Sequence, residues 1–195
     1  MTTPTKKSRR AKPSLREKAM GYLAMREYSY KELKQKLRAY LPVTDEDVAP
    51  DLEAHYEAVN ALLEDFKVRG WLSEERYTEQ IIHARQRKFG SMRIANELRE
   101  HGIAETLVDQ AMLEVKSNDL ANAQSIYRKK YDTPPSSREE WAKQARFLQS
   151  RGFSFDIIKK VVIYKANKQD IEDHEIEDHE IENQDIEDQH IEDSE

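Results

Sequence analysis

Residues 98–111 and 148–161 carry one pattern written twice. Sliding the chain by 50 lays Leu98, Gly102, Ile103, Leu107, Val108 and Ala111 on Leu148, Gly152, Phe153, Ile157, Ile158 and Val161. A slide of 61 lays Ser29, Leu33 and Leu37 on Gly90, Ile94 and Leu98. Self-similarity at such a period marks stacked supersecondary units, none of which buries its apolar face alone. The units read as helical: Ala, Leu, Glu, Lys, Arg and Gln dominate, apolar residues fall three and four apart, and alternating β-branched runs are missing. Charged residues make up 36% of the 195 positions, against a usual figure of about 25%, so the core of each unit must be thin.

Capping residues and breakers divide the helices. A first helix over 15–27 places Leu15, Ala19, Tyr22 and Leu23 on one side. Ser29 with Glu32 reads as a capping box opening a second, with the stripe Leu33, Leu37 and Tyr40 ending at Pro42. After an acidic connection over 43–54, a third helix carries Val59, Leu62, Leu63 and Phe66 to Gly70. Ser73 opens the next unit, Gly90 and Ser91 interrupt it, and Gly102 separates Ile94, Ala95 and Leu98 from Ile103, Leu107, Val108, Ala111 and Met112. The last unit is read as helices over 118–130, 136–151 (with Ser137 and Glu140 as another capping box) and 154–164. Gly21 inside the first helix costs about 1 kcal/mol relative to Ala, which suggests a close helix crossing. The expected fold is all-α: three tandem three-helix repeats over 15–72, 73–116 and 117–165, sharing one continuous apolar seam in an elongated, curved body.

Charge separates the ends from the middle. Residues 170–195 hold 14 acids and no Lys or Arg, so the remainder carries 32 basic against 24 acidic groups. Lys6, Lys7, Arg9, Arg10 and Lys12 lie in a leading arm, residues 1–14, that has no acid. A basic body attracts polyanions, and an acidic tail is either a solubilising segment or one that competes for the body's own partner. In that tail Ile171, Ile176, Ile181, Ile186 and Ile191 recur every five residues, a step that gives neither a helix nor a strand an apolar face. Residues 166–195 are therefore expected to be disordered.

Several functions are excluded by what the sequence lacks. The chain has no Cys, which removes disulfides, thiolate zinc sites and cysteine nucleophiles and fits a reducing compartment. No window approaches the roughly 18 apolar residues of a membrane span. His55, His83 and His101 are isolated, and neither a Gly-rich phosphate loop nor a His-Glu-x-x-His pair is present. His174 and His179 stand five apart rather than four, so no metal site and no cofactor are expected.

The runs Gly70-Trp71-Leu72-Ser73-Glu74-Glu75-Arg76-Tyr77, Lys88-Phe89-Gly90-Ser91-Met92-Arg93-Ile94-Ala95-Asn96-Glu97-Leu98 and His101-Gly102-Ile103 resemble the central signature of the RecX regulatory proteins. Arg26-Glu27-Tyr28-Ser29-Tyr30-Lys31-Glu32-Leu33 resembles that family's opening repeat. The resemblance spans residues 15–164 and leaves the tail outside. It implies a regulator that binds the filament of a RecA-type recombinase on DNA and restrains its recombinase and ATPase activity, in the setting of recombination, DNA repair and the SOS response. The lack of a catalytic constellation makes the expected regulator non-enzymatic, composition makes it cytoplasmic, and a monomer is expected.

On this reading Arg26, Lys31, Lys34 and Arg38 of the first unit, Arg85, Arg87, Lys88, Arg93 and Arg99 of the second, and Lys129 and Lys130 of the third line one concave face. They would touch single-stranded or duplex DNA, or acidic patches of the recombinase. The plain alternative for each is a solvated helix surface. Tyr28, Tyr30, Trp71 and Phe89 stand near these charges and either stack on bases or belong to the core. Two other functions stay open: a sequence-tolerant nucleic-acid binder that needs no recombinase, and a helical-repeat adaptor that captures a peptide.

Overall fold

The computed structural model describes residues 13–41 and 51–163, which form eight helices and no strand. In chain order these are α1 Leu15–Leu23, α2 Tyr30–Arg38, α3 Leu52–Val68, α4 Glu74–Arg85, α5 Ser91–Glu100, α6 Glu105–Arg128, α7 Arg138–Gln149 and α8 Phe155–Val161. Residues 1–12, 42–50 and 164–195, which hold most of the basic arm, Pro42 with most of the acidic connection, and the acidic tail, fall outside the described residues.

Local side-chain chemistry starts most of the helices. Ser14 and Glu17 form a complete capping box on α1, while Ser29, Asp51, Ser73 and Ser137 each accept a first-turn amide of α2, α3, α4 and α7. Both capping boxes expected from the sequence are half-formed. Ser29 accepts the Glu32 amide, but the Glu32 carboxylate takes Arg26 at 2.7 and 3.1 Å instead of turning back. Glu140 accepts from the Ser136 amide at 2.8 Å, one residue ahead of the N-cap Ser137. An arginine in the preceding loop or an earlier free amide competes with the reciprocal bond of the box.

Three separate hydrophobic clusters hold the helices together. Ala19, Leu33, Leu37, Val59, Leu63 and Phe66 form the core of α1 to α3. Tyr77, Ile81, Ile94, Leu98, Val108 and Met112 join α4, α5 and the first half of α6. Ala123, Tyr127, Leu148, Phe153 and Ile158 join the second half of α6 to α7 and α8. One continuous seam was expected. Polar groups and glycine backbone take up much of the space between the cores.

Helix α6 also departs from expectation, since it runs 24 residues without a break at 117. No Gly or Pro lies between Gly102 and Pro134, so nothing stops it. Only the buried face changes partner, with Val115 in the middle cluster and Ala123 in the last. Gly21 was expected at a helix crossing, yet a Cβ built there meets nothing within 4 Å.

Both seams between units use one device. Gly102 and Gly152 take positive φ, 79° and 78°, after α5 and α7. The amides of Ile103 and Phe153 bond back to the carbonyls of Leu98 and Leu148, those of Gly102 and Gly152 to Arg99 and Gln149, which is the Schellman turn only an achiral residue adopts without strain. Into each turn leans a cation from the first turn of the preceding unit's middle helix. Lys31 Nζ donates to the Glu100 carbonyl at 2.9 Å, and Arg93 Nη1 donates to the Ser150 carbonyl at 2.8 Å. Both acceptors sit two residues before the glycine. A cation at a helix C-terminus meets orphan carbonyls and the negative end of the helix dipole.

The second seam is tighter. Gly90 donates to the Arg151 carbonyl at 2.8 Å, and a Cβ on Gly90 would stand 2.3 Å from the Gly152 oxygen. The start of α5 has no cap of its own. Asp119 of α6 supplies one, accepting from the Ser91 amide at 3.1 Å and hydroxyl at 2.6 Å while only 3% exposed.

Candidate nucleic-acid interface

The eleven basic residues singled out from the sequence differ in what they touch. Arg26, Arg85 and Arg99 are consumed within the protein. Arg26 grips Glu32 at 2.7 Å and lies 3.8 Å over the Tyr28 ring, Arg85 binds Glu97 at 2.8 Å, and Arg99 binds Glu105 at 2.5 Å. Their carboxylate hydrogen bonds raise all three guanidinium pKa values further above the ordinary range. Lys31 and Arg93 are the seam cations. Lys34 stands over Tyr30 at 5.6 Å and Arg38 over Tyr56 at 4.7 Å, both on the first unit.

Four of the eleven converge. Arg87 and Lys88, in the turn after α4, face Lys129 and Lys130 at the end of α6 across a cleft of about 380 Å³. Arg151 joins them from the turn after α7, and Phe89, Ile126 and Phe147 complete the lining. No carboxylate lines this cleft. Arg151 is fixed by its bond to the Phe147 carbonyl at 3.1 Å and lies 3.8 Å over the Phe147 ring. Sequence reasoning missed Arg151, although it is the residue before Gly152, whose turn at the seam brings it inward.

A plain role for these cations is to offset helix ends, because the C-termini of α4, α6 and α7 all point here. Three dipole ends amount to roughly 1.5 negative charges against five positive side chains. A clear excess of positive potential remains, open to solvent above a partly apolar floor. The larger cleft, about 760 Å³ beside the second seam, mixes Arg85 and Arg93 with Glu97 and Glu100 and has no such excess.

The remaining candidates resolve into structure. His55 is buried, with Nε2 3.2 Å from the Leu37 carbonyl, and Tyr28 is a core residue at 5% exposure. Trp71 packs edge-on against Phe66 between Arg16 and Arg69, and Phe89 alone of the four aromatics reaches the cleft. Among the described residues no group of three metal-ligating side chains occurs, and no helix is long and apolar enough to cross a membrane. His174, His179 and His190 lie outside those residues.

Comparison with known proteins settles the family. Residues 73–112 match the second three-helix domain of RecX and residues 117–162 the third. Regulatory protein RecX of Leptothrix cholodnii is 35% identical over 163 residues, covering 84% of this chain and 96% of that protein. The chain belongs to the RecX family. Regulatory protein RecX of Neisseria gonorrhoeae is 36% identical over 146 residues, covering 75% of this chain and 87% of the relative. The crystal structure of RecX from Lactobacillus salivarius superposes with a TM-score of 0.58 at 20% identity, over 76% of this chain and 92% of that one. The last comparison supports the RecX fold of successive three-helix units.

Proposed function

We propose that this protein is a non-enzymatic regulator that binds the filament formed by a RecA-type recombinase on DNA and restrains its activity. The relatives bear the name regulatory protein, and family resemblance supplies the recombinase. The observation that carries the DNA contact is the cleft of Arg87, Lys88, Lys129, Lys130 and Arg151, five cations without a lining carboxylate. Phosphates entering it release counterions, and this favours binding without regard to sequence. Three units in series present several weak contacts to neighbouring protomers of a polymer, and their combination strengthens the grip far beyond any one of them.

The test is ATP hydrolysis by the recombinase on single-stranded DNA, with and without the full chain. Hydrolysis should slow, and the double variant Lys129→Glu, Lys130→Glu should slow it much less. No effect at excess protein removes the proposal. The same cleft also supports a direct nucleic-acid binder that needs no recombinase. That reading predicts retention on DNA alone and inhibition that disappears when DNA is in excess over filament.

A further inference from the structure

We propose that the acidic C-terminal segment, residues 170–195, docks in the carboxylate-free cleft of its own chain and competes there with nucleic acid. The proposal rests on the cleft being a polyanion site, as argued above, and adds its regulation. Charge is the first argument. The segment offers 14 acids and no Lys or Arg, and the cleft is lined by five cations and no carboxylate.

Chemical pattern is the second. The cleft is not uniformly polar, because Phe89, Ile126 and Phe147 form part of its lining. A plain polyanion leaves that floor unused. Units such as Ile176-Glu177-Asp178-His179-Glu180 place one isoleucine among acids at every fifth position, so a bound unit buries an apolar side chain on the floor while its carboxylates reach the rim. An isoleucine buried this way adds apolar stabilisation that a phosphodiester backbone lacks.

Reach is the third. The Val162 carbonyl accepts the Trp141 indole N–H at 3.1 Å, which pins the last described turn to α7. Phe147 lies six residues further along that helix, about 9 Å by helical rise. Residues 164–169 span roughly 20 Å when extended, enough to deliver the first acid to the cleft. A tethered segment of this length acts at an effective concentration on the order of millimolar.

The full chain contains no Cys, so Ser194→Cys gives one attachment point for a spin label. Amide resonances of Lys88, Lys129, Lys130 and Arg151 should broaden at low salt. They should recover near 1 M salt, where the screening length is about 3 Å. In the full chain with all tail acids changed to Asn or Gln, the broadening should vanish and affinity for single-stranded DNA should rise about tenfold. Absence of broadening at low salt overturns the proposal, as does broadening centred on the tyrosine and lysine surface of Lys18 and Lys36. Failure of the recombinase assay with broadening intact would sink the filament reading and leave tail docking standing; a silent label beside an active inhibitor would do the reverse.

Discussion

Gly152 and Gly21 should answer the same substitution with opposite sign. Alanine at 152 must adopt φ near 78° and place its methyl 2.4 Å from Arg93 Cβ. Left-handed strain alone costs about 1–2 kcal/mol, so with the clash a loss above about 2 kcal/mol is expected from urea unfolding. Alanine at 21 meets open space inside α1 and should gain roughly 0.5–1 kcal/mol. A loss at Gly21 would mean that α1 approaches another element there. Asp119 offers a second residue-scale prediction. Burial raises its carboxyl pKa, partly opposed by the Ser91 hydrogen bonds. A raised value means that ionisation costs more in the fold than in the unfolded chain, so its stabilising contribution is complete below the unfolded pKa and fades as pH rises through the folded one. Asp119→Asn removes this dependence. The stability difference between wild type and variant should therefore move in favour of wild type as pH falls from 7 to 4, measured by parallel denaturant titrations. A slope of the other sign would contradict burial as the dominant influence. Exposed carboxylates with lowered pKa, such as Glu17 and Glu105, titrate in both proteins and cancel.

Helices show where sequence speaks clearly and where it does not. Starts were legible at Ser29, Ser73 and Ser137 because an N-cap is settled by a hydroxyl and an amide two or three residues apart. The seam glycines were legible as stops at Gly102 and Gly152 through their shared offset. The unbroken course of α6 was not, because repeat similarity implies a joint at 117 while the residues there, Lys116-Ser117-Asn118, neither stop nor require one. Ser117→Pro tests the difference. Ser117 is exposed, so no packing is lost, but a proline inside a continuous helix removes a hydrogen bond and clashes with the preceding turn at a cost of about 3 kcal/mol or more. A proline tolerated at little cost would indicate two helices meeting at that point.

At the scale of the molecule, the basic surface was legible only as a pool of candidates. Whether Arg85 is available depends on Glu97, 12 residues away, and Lys31 is taken by a carbonyl 69 residues away; spacing in sequence reports neither. Pairing therefore predicts which cations matter to DNA. Lys129→Ala with Lys130→Ala should lower the slope of log affinity against log salt by about 2, one unit per phosphate contact. Arg26→Ala, Arg85→Ala and Arg99→Ala should leave that slope nearly unchanged, and an equal drop in both sets would show that the ion pairs open on binding.

The two seams differ in stiffness. Helix α6 passes through the second, whereas the first is bridged by Lys31, by Arg76 on Glu27 at 2.8 Å, and by the short turn over 69–73. A helix resists flexure along its length far more than a handful of side-chain latches do. On that ground the body is expected to bend at the first seam before the second, and the basic cleft, lined by residues 87–89, 126–130 and 147–151, lies on the side that α6 spans. Were such a molecule laid along a polymer whose pitch changes, the first unit would swing to follow it while the spacing of the five cations stayed constant.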